Sequence, residues 1–149
     1  MDLTVLVPAY NEAESLPELA QWIDKVCISS SIDYELIIID DGSSDNTWEV
    51  LRQLSAKNER IRAVRFRRNY GKAAALQTGF EASAGDVVIT MDADLQDSPD
   101  EIPELVRMVR EEGYNIVSGW KKKRYDPFIK RTTSKLYNYT ARKFSGIRL

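Results

Sequence analysis

A chain of 149 residues suits one domain with room for a real core, and 43% hydrophobic against 30% charged residues is an ordinary composition for a soluble globular protein. The sequence has no histidine, which excludes His-dependent triads, imidazole base catalysis and His-ligated zinc; its one cysteine, Cys27, cannot form an internal disulfide and does not call for an oxidising compartment. The net charge of −2 hides a split: ten of the twenty-one lysines and arginines, but one of the twenty-three acids, fall in 120–149, so a basic segment follows an acidic body.

Residues 3–7 (Leu-Thr-Val-Leu-Val) read as a first buried strand, stopped by Pro8. Asn11 with Glu14 three residues on resembles a capping box, and Leu16, Leu19, Ile23 and Val26 follow at helical spacing. Cys27 lies in that apolar pattern and reads as a buried structural thiol. Residues 34–39 are apolar on both faces, as central parallel strands are, and stop at Asp40-Asp41-Gly42-Ser43-Ser44-Asp45-Asn46. Asp45 is placed to cap a helix over 47–57. Residues 61–66 alternate as a third strand, and the basic loop 67–72 leads to a helix over 73–84 closed by Gly85. A Val/Ile-rich strand over 87–91 then ends in Asp92-Ala93-Asp94-Leu95-Gln96-Asp97. Ser98-Pro99-Asp100-Glu101 is a strong helix start, with that helix running to Glu112. The pattern predicts a fifth strand over 115–119 and a last, basic helix over 128–145. No apolar run approaches the ~20 residues of a membrane span, and the N-terminus lacks a signal peptide's regions.

Strands alternating with helices predict an α/β domain: a Rossmann-like, mostly parallel sheet with helices on both faces. Right-handed crossovers bring every strand's C-terminal end to one edge, where such folds bind ligands. Four polar clusters follow strands: 8–12, 40–45, 67–72 and 92–97. Asp92 and Asp94, one residue apart, would point the same way from an extended chain, and two carboxylates that close repel unless a cation screens them. A divalent-metal site and a pair of solvated turn acids both fit that spacing. The chain has no G-x-x-x-x-G-K-[ST] phosphate loop and no G-x-G-x-x-G after its first strand. What remains is a nucleotide diphosphate bridged to carboxylates by Mg²⁺ or Mn²⁺, hard cations that prefer oxygen ligands.

Val7-Pro8-Ala9-Tyr10-Asn11-Glu12, Ile39-Asp40-Asp41-Gly42-Ser43-Ser44-Asp45, Asn69-Tyr70-Gly71-Lys72 and Asp92-Ala93-Asp94-Leu95-Gln96-Asp97 together resemble the family 2 glycosyltransferases of the GT-A fold. The Asp-Ala-Asp-Leu-Gln-Asp form, followed by Ser-Pro-Asp-Glu, is most similar to the polyprenyl-phosphate branch, with its dolichyl-phosphate mannosyltransferases and bactoprenol glucosyltransferases. The resemblance covers nearly the whole chain. It implies an inverting, metal-dependent transfer of a sugar from a nucleotide diphosphate sugar to a polyprenyl (dolichyl or undecaprenyl) phosphate. By that resemblance Pro8, Tyr10, Glu12 and Asp41 contact the nucleoside, Asp92, Asp94 and Gln96 hold the metal, and Lys72 sits near the diphosphate.

A phosphate acceptor is already anionic near neutral pH, so it needs cations to hold it in line rather than a general base. Lys121, Lys122, Lys123, Arg124, Lys130 and Arg131 supply cations, with the Ser134 hydroxyl nearby; the resemblance points to Lys121, Arg131 and Ser134 as the acceptor-phosphate site. Gly119-Trp120-Lys121 departs from the family form, which often has arginine close after the strand's Gly-Ser. The basic segment by itself suits lipid headgroups, a phosphate or nucleic acid, and the resemblance favours the first two over nucleic acid. Phe128, Ile129, Leu136, Tyr137, Phe144 and Ile147 among those basics fit an interfacial helix at the cytoplasmic face of a membrane, or equally packing on the domain or on a second subunit in a homo-oligomer. The organisation expected is a nucleotide-sugar-binding core over 1–119 and a basic acceptor and membrane-proximal segment over 120–149. Chains of this family normally continue further, so this one is expected to be a fragment truncated on its acceptor side, whose isolated turnover could be absent. Transfer to a sugar hydroxyl of a glycan or cell-wall precursor is the alternative within enzymes, and a non-catalytic nucleotide-sugar-binding fragment the alternative outside them.

Overall fold

In a computed structural model, which describes residues 1–119, the first two strands are the apolar runs that the sequence marks: β1 (Leu3–Ala9) and β2 (Tyr34–Asp40). β3 (Ile61–Arg65) and β4 (Val87–Thr90) flank them, giving an all-parallel sheet in the order β3-β2-β1-β4. Alternation along the strands divides their side chains between two cores. Leu3, Val5, Val7, Leu36 and Ile38 meet Leu16, Leu19 and Ile23 of α1 (Leu16–Ser29), Leu51 of α2 (Thr47–Lys57), and Ile102 and Val106 of α4 (Ile102–Arg110). Leu6, Ile37 and Ile39 turn to the opposite face, against Ala75 of α3 (Lys72–Ala82). Each fully buried branched side chain contributes about 1.5–3 kcal/mol relative to exposure. Residues from Met1 to Ser118 form one compact unit.

The strand order explains why, among the described residues, α3 is the helix that covers this second face. β1, β2 and β3 step outward in one direction, whereas β4 returns to the far side of β1. Reversing direction with the same crossover hand sends the connecting helix over the opposite face. Gly79 lets α3 come close, because a Cβ there would lie 2.1 Å from a methyl of the buried Leu6. Cys27 is buried in the first core, and burial pushes its thiol up to about 11, as befits a structural cysteine.

The local structure departs from the sequence reading in several places. α3 ends at Ala82 with Ser83 as its cap, so Gly85 does not close it. Pro8 does not stop β1, which continues to Ala9 with Pro8 opposite Ile39. The Leu6 carbonyl accepts from Met91 and the Ala9 carbonyl from Asp41, so Pro8, two residues after Leu6, turns its missing N–H towards the β4 side, beyond the end of that ladder. Asn11 is not a helix cap: it has φ 57°, and α1 begins at Leu16 after Ser15, with proline in its first turn. The helix after Ser98 opens with a 3₁₀ turn, Pro99–Glu101, and α4 ends at Arg110. Finally, 115–119 form no strand: they make no ladder with β4, and Ile116 is 88% exposed, so the edge of β4 away from β1 is unpaired among the described residues. Without a paired neighbour, a short apolar run gains neither ladder bonds nor burial.

Candidate functional site

The turns that follow β1 and β2 are sewn together. Asn11 N–H donates to Ser43 Oγ at 2.9 Å, Glu12 N–H to Thr47 Oγ1 at 2.9 Å, and Ser44 N–H to Asn11 Oδ1 at 2.9 Å. The left-handed backbone at Asn11, which asparagine tolerates better than most residues, allows this exchange. Asp45 accepts from the Thr47 hydroxyl and N–H and from Ala13 N–H, and the Thr47 hydroxyl above all holds its carboxyl below the usual range. Glu12 Oε2 accepts from the Ser15 hydroxyl at 2.6 Å, tying the entry of α1 to the same turn. Asp40, fully buried at the end of β2, accepts from Ser43 N–H at 2.8 Å, while its other oxygen lies 3.3 Å from Arg65 Nε.

Asp41 joins this pair of turns to the loop after β3. Its Oδ1 accepts from Tyr70 N–H at 2.7 Å and its Oδ2 from Gly71 N–H at 2.9 Å. Gly42, at φ 72°, lets the loop lie against the turn. The loop is braced from outside: the Arg68 guanidinium stacks 5.0 Å from the Tyr70 ring, which meets Phe66 edge-on at 5.6 Å.

The fourth cluster follows β4, and it is a turn rather than an extension of the strand. Leu95 takes φ 61°, and Asp92 N–H donates to Asp97 Oδ2 at 2.9 Å. The alternation argument for Asp92 and Asp94 therefore does not apply, yet both face the same cleft. Asp94 Oδ1 accepts from Gln96 N–H at 3.1 Å and its Oδ2 from Gln96 Nε2 at 2.8 Å. Lys72, the first residue of α3, pairs its ammonium with Asp92 Oδ1.

These segments enclose a cleft of about 290 Å³ at the C-terminal edge of the sheet, where strand order reverses between β1 and β4. Pro8, Tyr10, Glu12, Asp41, Lys72, Asp92 and Asp94 all line it. Gln96 does not line it and reaches it through Asp94. Lys121, Arg131 and Ser134, and the basic helix expected over 128–145, lie outside the described residues. Ala9, Asn69, Gly71 and Ala93 complete the lining, and Ser43 and Thr47 anchor it from behind; the last two look like ordinary turn residues because their partners come from 32 and 35 residues away.

Among the described residues no three histidine, cysteine or acidic side chains gather into a ready-made metal cage. The donor set still fits a hard divalent cation, which commonly takes one or two carboxylates and completes its shell with phosphate oxygens and water. Also among the described residues, no helix is long and apolar enough to cross a membrane.

Residues 4–148 match the model of glycosyl transferase family 2. Over 148 residues the chain is 41% identical to an undecaprenyl-phosphate 4-deoxy-4-formamido-L-arabinose transferase of Aeromonas hydrophila subsp. hydrophila, a match covering 99% of this chain and 45% of that protein. The chain thus spans about half the length of that curated relative. A mannosyltransferase of Pyrobaculum calidifontis, solved in complex with GDP-Man and Mn²⁺, superposes with a TM-score of 0.65 at 28% identity, covering 73% of this chain and 32% of its own. The glucosyl-3-phosphoglycerate synthase of Mycobacterium tuberculosis in complex with UDP shares the fold, with a TM-score of 0.69 at 23% identity over 97% of this chain and 50% of its own. With a parallel sheet whose post-strand turns converge on one acidic cleft, and a family match over almost its full length, this chain belongs to glycosyl transferase family 2.

Proposed function

We propose that the protein containing this chain transfers a sugar from a nucleotide diphosphate sugar to a polyprenyl phosphate, with inversion and with the help of Mg²⁺ or Mn²⁺. The observation that carries this reading is the meeting of Asp41, Asp92, Asp94 and Lys72 in one cleft at the sheet's switch point. Pro8, Tyr10, Glu12 and Asp41 form its nucleoside end, with the half-exposed Tyr10 ring available for stacking on a base. Asp92 and Asp94 supply oxygens to the cation, with Gln96 fixing the Asp94 carboxylate. Such a cation, once bound, offsets the charge that builds on a diphosphate leaving group. Lys72 adds a second positive charge on the same side. The names of the Aeromonas relative and of the Pyrobaculum complex support the acceptor and the cation respectively.

On the acceptor side, Lys121, Arg131 and Ser134 would hold the phosphate. An anionic acceptor oxygen attacks without prior deprotonation, so a chain without histidine meets no obstacle. The basic segment 120–149 suits association with an anionic membrane surface at the cytoplasmic face.

Calorimetric titration of UDP-glucose, UDP-GlcNAc and GDP-mannose, each with and without Mn²⁺, tests the donor half. One of them should bind, and more tightly with Mn²⁺; failure of all three would overturn the reading. Turnover with undecaprenyl phosphate, set against a sugar acceptor, tests the other half, and a requirement for the sugar would replace the polyprenyl-phosphate acceptor with a glycan hydroxyl.

A further inference from the structure

Asp92 and Asp94 face the same cleft but are neutralised differently. Asp94 is held by two neutral donors, the Gln96 N–H and its side-chain amide, which leave its charge in place. Asp92 is paired with a full positive charge, the Lys72 ammonium on Oδ1. A divalent cation coming to these two carboxylates meets that ammonium at one of the Asp92 oxygens. Two cations held at one carboxylate repel each other, so an incoming metal weakens the hold of the ammonium.

The pair is built to separate. Its side chains are 60% exposed at Lys72 and 38% at Asp92, and an exposed ion pair is weak. Lys72 directly follows Gly71, where no atom lies within 4 Å of the place a Cβ would take, so the space beside the start of α3 is open. Lys72 also lines the cleft, so its flexible stem can move the ammonium along the wall without leaving the site.

We propose that Lys72 is an exchangeable counter-ion: its ammonium neutralises Asp92 while no metal is bound, and when a divalent cation takes Asp92 it swings to the donor's diphosphate. The inference rests on the donor reading above and adds an order of events. Metal and diphosphate bind cooperatively, because each removes the obstacle to the other: the cation frees the ammonium, and the diphosphate gives the ammonium a new partner. Either ligand alone has to break or forgo the Lys72–Asp92 pair.

Calorimetric titration of the chain with MnCl₂ alone, pyrophosphate alone and MnCl₂ in the presence of pyrophosphate tests this without reference to base, sugar or turnover. Lys72→Met removes the charge and keeps most of the stem; Lys72→Arg keeps the charge. In Lys72→Met, Mn²⁺ alone should bind about fivefold more tightly, as expected on losing an exposed competing charge, while the tightening of Mn²⁺ by pyrophosphate should shrink by about tenfold. Lys72→Arg should retain both properties of the parent chain. Unchanged or weaker Mn²⁺ binding in Lys72→Met, with a lowered melting temperature, would make Lys72 a structural clamp and overturn the proposal. If the parent chain binds neither Mn²⁺ nor pyrophosphate, the metal-diphosphate reading fails first and the exchange falls with it.

Discussion

A Cβ on Gly42 would stand 2.3 Å from the carbonyl carbon of Arg68, so the turn after β2 and the loop after β3 meet backbone to backbone. Gly42→Ala therefore faces two penalties, a left-handed φ of 72° and a clash with main chain that cannot rotate away. A loss of about 2–4 kcal/mol in urea melts is expected, with weakened nucleotide binding because the 67–72 loop must lift. Gly71→Ala is the matched control. Its φ of 92° with ψ of 158° is backbone that essentially only glycine adopts, but nothing lies within 4 Å of the added carbon, so the backbone strain stands alone and about 1–3 kcal/mol is expected.

Asp41→Asn tests the carboxylate that links the two loops. Both oxygens accept main-chain N–H groups, from Tyr70 and Gly71, and an amide turns one acceptor into a donor facing a donor. One bond is lost and one N–H is left unsatisfied, costing about 1–3 kcal/mol. Nucleotide affinity should fall at least about tenfold, with thermal melts and nucleotide titrations measured on the same preparation.

Asp94→Asn separates metal from fold. Asp94 is exposed and bonded only within its own turn, so stability should change by less than about 1 kcal/mol. Its contribution to a cation is its charge, so the gain in nucleotide affinity on adding Mn²⁺ should largely disappear. Titrations with and without Mn²⁺ read this directly, and an undiminished gain would remove Asp94 from the metal site.

The other end of the sheet predicts an acid response. Glu35 is buried, which raises its pKa, but Ala84 N–H, Arg62 and the Thr4 hydroxyl all favour the charged form and hold it below the ordinary glutamate value of 4.5. The unfolded chain then binds the proton more readily than the folded one, so stability rises with pH through this window. The contribution is complete above about pH 4.5 and is lost as pH falls through the depressed folded value. Glu35→Gln should cost about 2 kcal/mol at pH 7 in urea melts, and should lose less than the parent between pH 5 and about pH 3.

The positions of the four clusters were legible because each ends an apolar run, and a parallel sheet gathers such ends on one edge. Asp41, Asp92, Asp94 and Lys72 could be assigned to one place for that reason. Asn11 looks like a helix cap in the sequence because its true partners, Ser43 and Ser44, lie more than thirty residues away, and a capping box is a purely local pattern. Pro17, in the first turn of α1, was the local signal for the true start. Pro8 looks like a strand stop in the sequence because whether a strand tolerates proline depends on which side its neighbour stops, a property of the sheet and not of the run. Residues 115–119 have strand composition, but composition supplies no partner. The Lys72–Asp92 pair had no sequence signal at all, since twenty residues and a whole helix separate the two.

The seam between β1 and β4 also has a consequence for how the protein is made. Thr4 Oγ1 accepts from Gly85 N–H across 81 residues, and Leu3 lies opposite Val87, so β1 and β4 meet through contacts of very long sequence separation. Contacts of that kind form late, after local helices and the β1–β2 pair have shortened the loop to be closed. During synthesis, the first wall leaves the ribosome long before Asp92 and Asp94 exist to face it. Binding of a nucleotide diphosphate should therefore be among the last properties to appear on refolding, and it offers a clock for completion of the sheet.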